Sequence, residues 1–158
     1  MVADKSDMKK TKAPTLENGG HLQQVFESSA DAMLIIDFDG KILEVNPATC
    51  TIYGYSEEEL RGLSATDLIH PDKQRFFATA AERVAKGQTY SAESVNVGKD
   101  GATIDVEVCL TPLAHRDKPA ILAAIRDITE HKQMEQWLRE SETRFRQLFD
   151  HMSSGVAV

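Results

Sequence analysis

Two periods of apolar residues alternate along the chain, and the points where one gives way to the other predict its elements. Leu22, Val25 and Phe26 stand at helical spacing, so residues 21–29 read as a short helix. The runs Ala32-Met33-Leu34-Ile35-Ile36 and Lys41-Ile42-Leu43-Glu44-Val45 read as strands. Asp39-Gly40 between them is a hairpin signal that predicts a type I′ turn, in which both central residues take positive φ. Asn46-Pro47 ends the second strand and opens a helix, since proline suits a first turn that does not need its missing N–H. Ser56-Glu57-Glu58-Glu59 is a capping box, and its short helix stops at Gly62. Residues 64–69 carry no clear period. His70-Pro71-Asp72 predicts the start of a longer helix over 72–86, with Phe76, Phe77, Ala80, Ala81 and Val84 on one side.

From Tyr90 the period is two. Residues 90–97, 102–111 and 120–126 read as three strands, with Lys99-Asp100-Gly101 as a second hairpin signal and residues 115–119 as a polar turn. Val106, Val108 and Leu110 alternate with Asp105, Glu107 and Cys109, so one face is polar and expected to be exposed. Two strands, several helices, then three strands predict an α+β domain. Its strand runs merge into one antiparallel sheet with helices on one face. Beyond Arg126, Asp127-Ile128-Thr129-Glu130 reads as a capping start. Met134, Leu138, Ser141, Phe145 and Leu148 follow at alternating spacings of four and three. That is a heptad seam of about two heptads, interrupted by Ser141, with Trp137 beside it.

One repeat organises the whole. Val25-Phe26-Glu27-Ser28-Ser29-Ala30-Asp31-Ala32-Met33-Leu34-Ile35 returns in changed letters, 123 residues on, as Leu148-Phe149-Asp150-His151-Met152-Ser153-Ser154-Gly155-Val156-Ala157-Val158. A period this long exceeds the ~20–50 residues of solenoid units and fits tandem globular domains. The expected organisation is a flexible linker over 1–20, a domain over 21–129, a connector helix over 130–150, and the truncated start of a second similar domain over 151–158. Val156-Ala157-Val158 is expected to be an orphan strand.

The charge balance narrows the partners. Eighteen basic and 25 acidic side chains give a net charge of −7, which argues against nucleic acid, where clustered cations must displace counterions. No stretch is apolar enough to span a membrane, and no apolar secretory core occurs near the N-terminus. Cys50 and Cys109 are too few for a disulfide framework, so reduced thiols and a cytoplasmic setting are expected. The five histidines, His21, His70, His115, His131 and His151, have no partners at metal-ligand spacing, so no metal site is expected. His131 lacks the proline that follows a kinase phosphoacceptor a few positions on, and it reads as an exposed helix residue. Neither Gly-x-Ser-x-Gly nor a phosphate-cradling glycine loop occurs, so no enzyme activity is expected of this chain.

The ordered set Asp37-Phe38-Asp39-Gly40-Lys41-Ile42-Leu43-Glu44-Val45-Asn46-Pro47-Ala48, Gly54-Tyr55-Ser56-Glu57-Glu58-Glu59-Leu60-Arg61-Gly62, His70-Pro71-Asp72, Lys99-Asp100-Gly101 and Asp127-Ile128-Thr129 resembles the PAS domain (sensory box) with its C-terminal PAC segment. The resemblance covers residues 21–131. It implies a five-stranded antiparallel sheet whose concave face, covered by helices, receives small ligands or cofactors. By similarity with flavin-binding relatives, Leu34, Ile36, Val106, Val108, Leu110, Ile121, Ala123 and Ile125 should face that site, either as a ligand-binding lining or as plain core. Covalent flavin chemistry is not expected, because Ala65 stands where light-sensing relatives carry the reactive cysteine. Asn46 and Asn96 are the polar residues left for a noncovalent flavin. Haem is not expected either: the long helix has no histidine, and His70 reads as a helix-start residue.

The resemblance also assigns Asp127 and Thr129 to signal relay between the last strand and the connector helix. It implies a parent signalling protein, such as a two-component sensor histidine kinase, with further PAS and effector domains downstream. A homodimer through the N-terminal or connector helices is expected. A ligand-free dimerisation and relay module is the alternative to a ligand sensor.

Overall fold

A computed structural model describes residues 20–156, with side chains as far as residue 150. The chain divides into two units, one ending at Asp127 and one beginning at Ile128. In the first, five strands form one sheet: β1 Ala32–Ile36, β2 Ile42–Val45, β3 Tyr90–Val97, β4 Thr103–His115 and β5 Lys118–Asp127. Their order is β2-β1-β5-β4-β3, and every neighbouring pair is antiparallel. This is the sheet the sequence predicts, with β5 at its centre. The helices are α1 Gly20–Ser28, α2 Pro47–Tyr53, α3 Glu57–Arg61 and α4 Phe76–Ala85, with one-turn 3-10 helices at Ala65–Leu68 and Pro71–Lys73. The linker expected over 1–20 lies outside the described residues except for Gly20, which starts α1.

Strand alternation sorts the apolar residues into two cores. On the inner face, Leu34, Ile36, Val106, Leu110, Ile121, Ala123 and Ile125 share a cluster with Tyr53 of α2, Leu60 of α3, and Ala80 and Val84 of α4. On the outer face, Ile35, Leu113 and Ala120 pack with Phe26 of α1, joined by Leu22, Met33, Leu43 and Leu122. The helices between β2 and β3 therefore cover the inner face, while α1 lies on the other.

Polar groups fasten the helix layer. Asn46 is 1% exposed, and its amide is fully used. Nδ2 donates to the carbonyls of Phe26 (2.9 Å) and Asp31 (3.0 Å). Oδ1 accepts from the N–H of Met33 (2.9 Å), the N–H of Thr49 (3.1 Å) and the Thr49 hydroxyl (2.7 Å). One side chain thus caps α2 and ties it to the end of α1 and the start of β1. Farther on, the Lys99 N–H donates to the Tyr53 carbonyl at 2.8 Å, and Lys99 Nζ pairs with Glu59 at 2.7 Å. These bonds join α2 and α3 to the β3–β4 hairpin.

Several turns depart from expectation. In the β1–β2 connection only Gly40 has positive φ (+96°), so the turn is not type I′. Gly40 N–H donates to the Asp37 carbonyl, while Asp37 Oδ1 accepts from the N–H groups of Asp39 and Lys41. The aspartate side chain organises the loop, and glycine takes the single left-handed position. Gly98–Gly101 repeats the device, with Gly101 at φ +85° and Asp100 Oδ1 accepting from Ala102. The two-residue turn with both φ positive lies instead at Arg116-Asp117 (+52° and +64°). The polar turn is therefore shorter than expected, and β4 and β5 run longer.

The helix expected over 72–86 is broken. His70 Nδ1 accepts from the Asp72 N–H and caps a 3-10 turn, confirming its helix-start role, and α4 begins only at Phe76. Gln74 lies in the break and donates to the carbonyls of Thr66 and Ile69, outside the helix. Residues 64–69 hold a second capping box, Ser64 with Asp67, over a single 3-10 turn.

In the second unit, α5 Thr129–Val156 is one helix of 28 residues, about 42 Å long. The Ile128 carbonyl accepts the Lys132 N–H, so Ile128 holds the cap position and Asp127 is the last residue of β5. The capping start expected at Asp127 is displaced by one residue. Val156, expected in a strand, closes α5; a strand needs a paired neighbour for its backbone groups, whereas a helix satisfies them internally. Ala157 and Val158 lie outside the described residues.

Asn46→Ala takes the side-chain partner from the Phe26 and Asp31 carbonyls and the Met33 N–H, while the Thr49 N–H keeps the residue-46 carbonyl. Each buried group left unmet costs roughly 1–3 kcal/mol. The expected loss of unfolding free energy in urea titration is about 3 kcal/mol. Asn46→Asp should not rescue it, because a carboxylate would face the Phe26 and Asp31 carbonyls. Gly40→Ala should cost about 1–3 kcal/mol, because a Cβ there would lie 2.9 Å from Ser64 Oγ at a left-handed φ.

Candidate functional site

Between the inner face of the sheet and the helices lies a cavity of about 300 Å³. β1 contributes Leu34 and Ile36, β5 Ala123 and Ile125, β4 Val108 and Leu110, and β3 Tyr90, Ala92, Ser94 and Asn96. These belong to cross-strand rows. Leu34 pairs with Ala123, Ala123 with Leu110 and Leu110 with Tyr90; Ile125 pairs with Val108 and Val108 with Ala92. The opposite wall comes from Ala65, Leu68 and Ile69, from Lys73, and from Phe76, Phe77 and Ala80 of α4. Four of the lining residues are alanines, and their short side chains leave the middle of the layer unfilled.

Six of the eight residues placed on this face by sequence line the cavity: Leu34, Ile36, Val108, Leu110, Ala123 and Ile125. Val106 and Ile121 share the face but lie outside the cavity, both 0% exposed in solid core. Alternation identifies the face but not where packing closes. Of the wall from β3 only Asn96 was singled out in sequence; Tyr90, Ala92 and Ser94 were missed because they do not form an apolar stripe. Their two-residue spacing was the available signal.

The lining is polar in two zones. Lys73 is half-buried and Glu93 exposed, so charge is confined to the rim. Deeper, Asn96 is 3% exposed. Its Nδ2 donates to the Tyr53 hydroxyl at 2.5 Å, and its Oδ1 has no hydrogen-bond partner among the described residues. Burial pushes the Tyr53 hydroxyl far above its ordinary pKa; the bond from Asn96 lowers it, and the negative charge of Asp127 raises it again. Tyr53 therefore stays neutral, within reach of the Asp127 field. Asn46, the other asparagine considered as a cofactor contact, spends its amide on backbone groups and does not line the cavity.

Asp127 pairs with Val106 at the end of β5, and strand alternation puts it on the same face as Ile125 and Ala123. Thr129 is the first residue of α5. Along that helix Met134, Trp137, Leu138, Phe145, Leu148 and Phe149 are each 60–67% exposed, and the rings of Phe145 and Phe149 stack with centroids 6.2 Å apart. His131 is exposed, with Nε2 3.2 Å from Glu135. Among the described residues no helix is long and apolar enough to cross a membrane.

Comparison with known proteins places this geometry. The profile of a family described as "PAS domain" matches residues 30–130. The chain is 34% identical over 120 residues to the sensor histidine kinase TmoS of Ectopseudomonas mendocina, and 32% identical over 124 residues to the probable diguanylate cyclase DgcE of Escherichia coli. These alignments cover 73% and 76% of this chain but only 12% and 11% of those proteins, so the chain spans about a tenth of their length. Among solved structures, the PAS domain of an HTR-like protein from Haloarcula marismortui is 30% identical. It superposes with a TM-score of 0.62 over 71% of this chain and 98% of that one. A PAS domain from Colwellia psychrerythraea reaches a TM-score of 0.63 at 25% identity, over 70% and 96%. Sheet order, helix layer and sequence agree: the chain belongs to the PAS domain family.

Proposed function

We propose that this chain is the sensing segment of a larger signalling protein, a two-component sensor histidine kinase, in which a small molecule held in the cavity changes output through α5. The observation that carries the reading is the mainly apolar cavity between sheet and helices, open at a rim marked by Lys73 and Glu93, because a close-packed interior does not ordinarily leave about 300 Å³ unfilled. The eight inward-facing residues of β1, β4 and β5 form its sheet side, six as direct lining and Val106 and Ile121 as backing. Catalysis would belong to other parts of the whole protein. Relatives named as kinases favour phosphotransfer there, the cyclase relative makes nucleotide cyclisation the other candidate, and the reduced cysteines suit a cytoplasmic setting.

The covalent path supports a relay. β5 is the central strand, two of its inner-facing side chains, Ala123 and Ile125, line the cavity, and a single residue, Ile128, separates it from α5. A ligand that shifts β5 acts at Asp127 and so on the first turn of α5, where Thr129 stands. The exposed seam of α5 fits pairing with a second copy, since a heptad stripe is complementary to itself. The same seam favours a second reading, a ligand-free dimerisation and relay module.

Asp127→Ala or Thr129→Ala in the full-length protein should uncouple output from stimulus while leaving the melting temperature of this domain within about 3 °C; unchanged regulation in both variants would contradict the relay. Leu138→Glu should turn a dimer into a monomer in sedimentation at micromolar concentration. A wild-type chain that sediments as a monomer would count against the seam.

A further inference from the structure

The mouth of the cavity is cationic and aromatic, while its interior is apolar. Lys73 and Phe76 both line it, and the Lys73 ammonium lies 6.0 Å from the centre of the Phe76 ring. The Arg75 guanidinium lies 4.5 Å from the same ring, and Phe76 is 45% exposed. Neither cation forms a salt bridge among the described residues; Arg75 Nη1 donates instead to the Asp72 carbonyl at 3.0 Å. The Asp72 carboxylate is turned to solvent, 3.8 Å from His70 Nδ1. Glu93 also stands at the rim, but strand alternation puts its side chain on the face of its cross-strand partner Glu107, not on that of Ala92 and Ser94. The charged side chain on the cavity's own side is therefore Lys73. Farther in, Leu34, Ile36, Leu110 and Ile125 offer no counter-charge, so an ionised group carried there would be buried unpaired.

We propose that the cavity takes a monocarboxylic acid with an apolar body, of fatty-acid or aryl-acid class, bound body first with its carboxylate at the mouth beside Lys73. This rests on the reading of the cavity as a ligand site. The two ends of such a molecule match the two ends of the site. The body fills space among the inward-facing residues of β1, β4 and β5, and the carboxylate accepts from the Lys73 ammonium where water still reaches both. A lysine suits that place, because its flexible stem packs on apolar surface while the ammonium follows the carboxylate. A cationic end would meet Lys73 and Arg75 with like charge, and a neutral amide would forgo the ion pair.

Octanoate, octanamide and octylammonium separate the possibilities, being alike in length and different in charge. Each is titrated into the ¹⁵N-labelled 158-residue chain at low salt and neutral pH, and the amide shifts of Tyr90, Ala92 and Ala123 are followed. Octanoate is expected to bind about fivefold more tightly than octanamide, the scale of a partly exposed ion pair, and octylammonium most weakly. The octanoate preference should shrink at high salt. Lys73→Met, which removes the charge and keeps the stem, should bring the octanoate-to-octanamide ratio close to one, and Lys73→Arg should preserve it. Equal affinity of octanoate and octanamide in the wild type overturns the carboxylate assignment but leaves the cavity reading standing. A preference for octanamide or octylammonium, or an octanoate preference undiminished in a folded Lys73→Met, also overturns it. If none of the three moves these resonances, the cavity reading falls as well.

Discussion

The side-chain amide of Asn46 reaches three segments at once: the end of α1, the start of β1 and the first turn of α2. Apolar contacts between a helix and a sheet tolerate sliding, whereas five directional bonds from one buried group do not. Asn46 therefore fixes where the helix layer begins relative to the sheet. The layer is pinned again at other points by polar bonds: Ala65 N–H and Ser64 Oγ to the Gly40 carbonyl, His70 N–H to the Val95 carbonyl, and Lys99 N–H to the Tyr53 carbonyl. Held at its margins in this way, the layer is not free to collapse onto the sheet.

The cavity follows from that restraint together with side-chain size. Ala65, Ala80, Ala92 and Ala123 face inward where larger residues would close the gap, and elsewhere on the same sheet Val106 and Ile121 do close it. Solid core and open cavity thus divide one apolar face, and β5 carries residues of both, Ile121 in the core and Ala123 and Ile125 in the lining. This strand pairs with both β1 and β4. A displacement of its inner side chains is constrained from both sides, and the strand ends at Asp127, with Ile128 between it and α5.

Much of this was legible in the sequence, and the misses have physical causes. The strands and most helices follow from period, because burial on one face imposes it. The capping box at Ser56 was readable because both of its partners are local. Ser64 with Asp67 obeys the same rule over a turn too short to show a period. Asp39-Gly40 marks a turn correctly but not its type: Asp37 Oδ1 takes two backbone N–H groups and leaves only Gly40 left-handed. The type I′ geometry fell to Arg116-Asp117, since the two-residue link between long paired strands requires it whatever the residues. The break before Phe76 depends on Gln74 reaching the carbonyls of Thr66 and Ile69, a contact over five to eight residues that no local pattern contains. Asn96 was legible as a polar residue of the ligand-binding face, but its bond to the Tyr53 hydroxyl, 43 residues away, has no sequence signature.

Pressurised xenon, followed through ¹³C-methyl shifts, tests the cavity most directly, because xenon needs only a preformed apolar space of sufficient size. The methyl groups of Leu34, Ile36, Val108, Leu110, Ala123 and Ile125 should shift together and saturate with one apparent affinity. Those of Leu113 and Leu122, on the outer face, should stay unmoved. Unmoved inner-face methyls, or shifts of equal size on both faces, would contradict a cavity between the sheet and its helices.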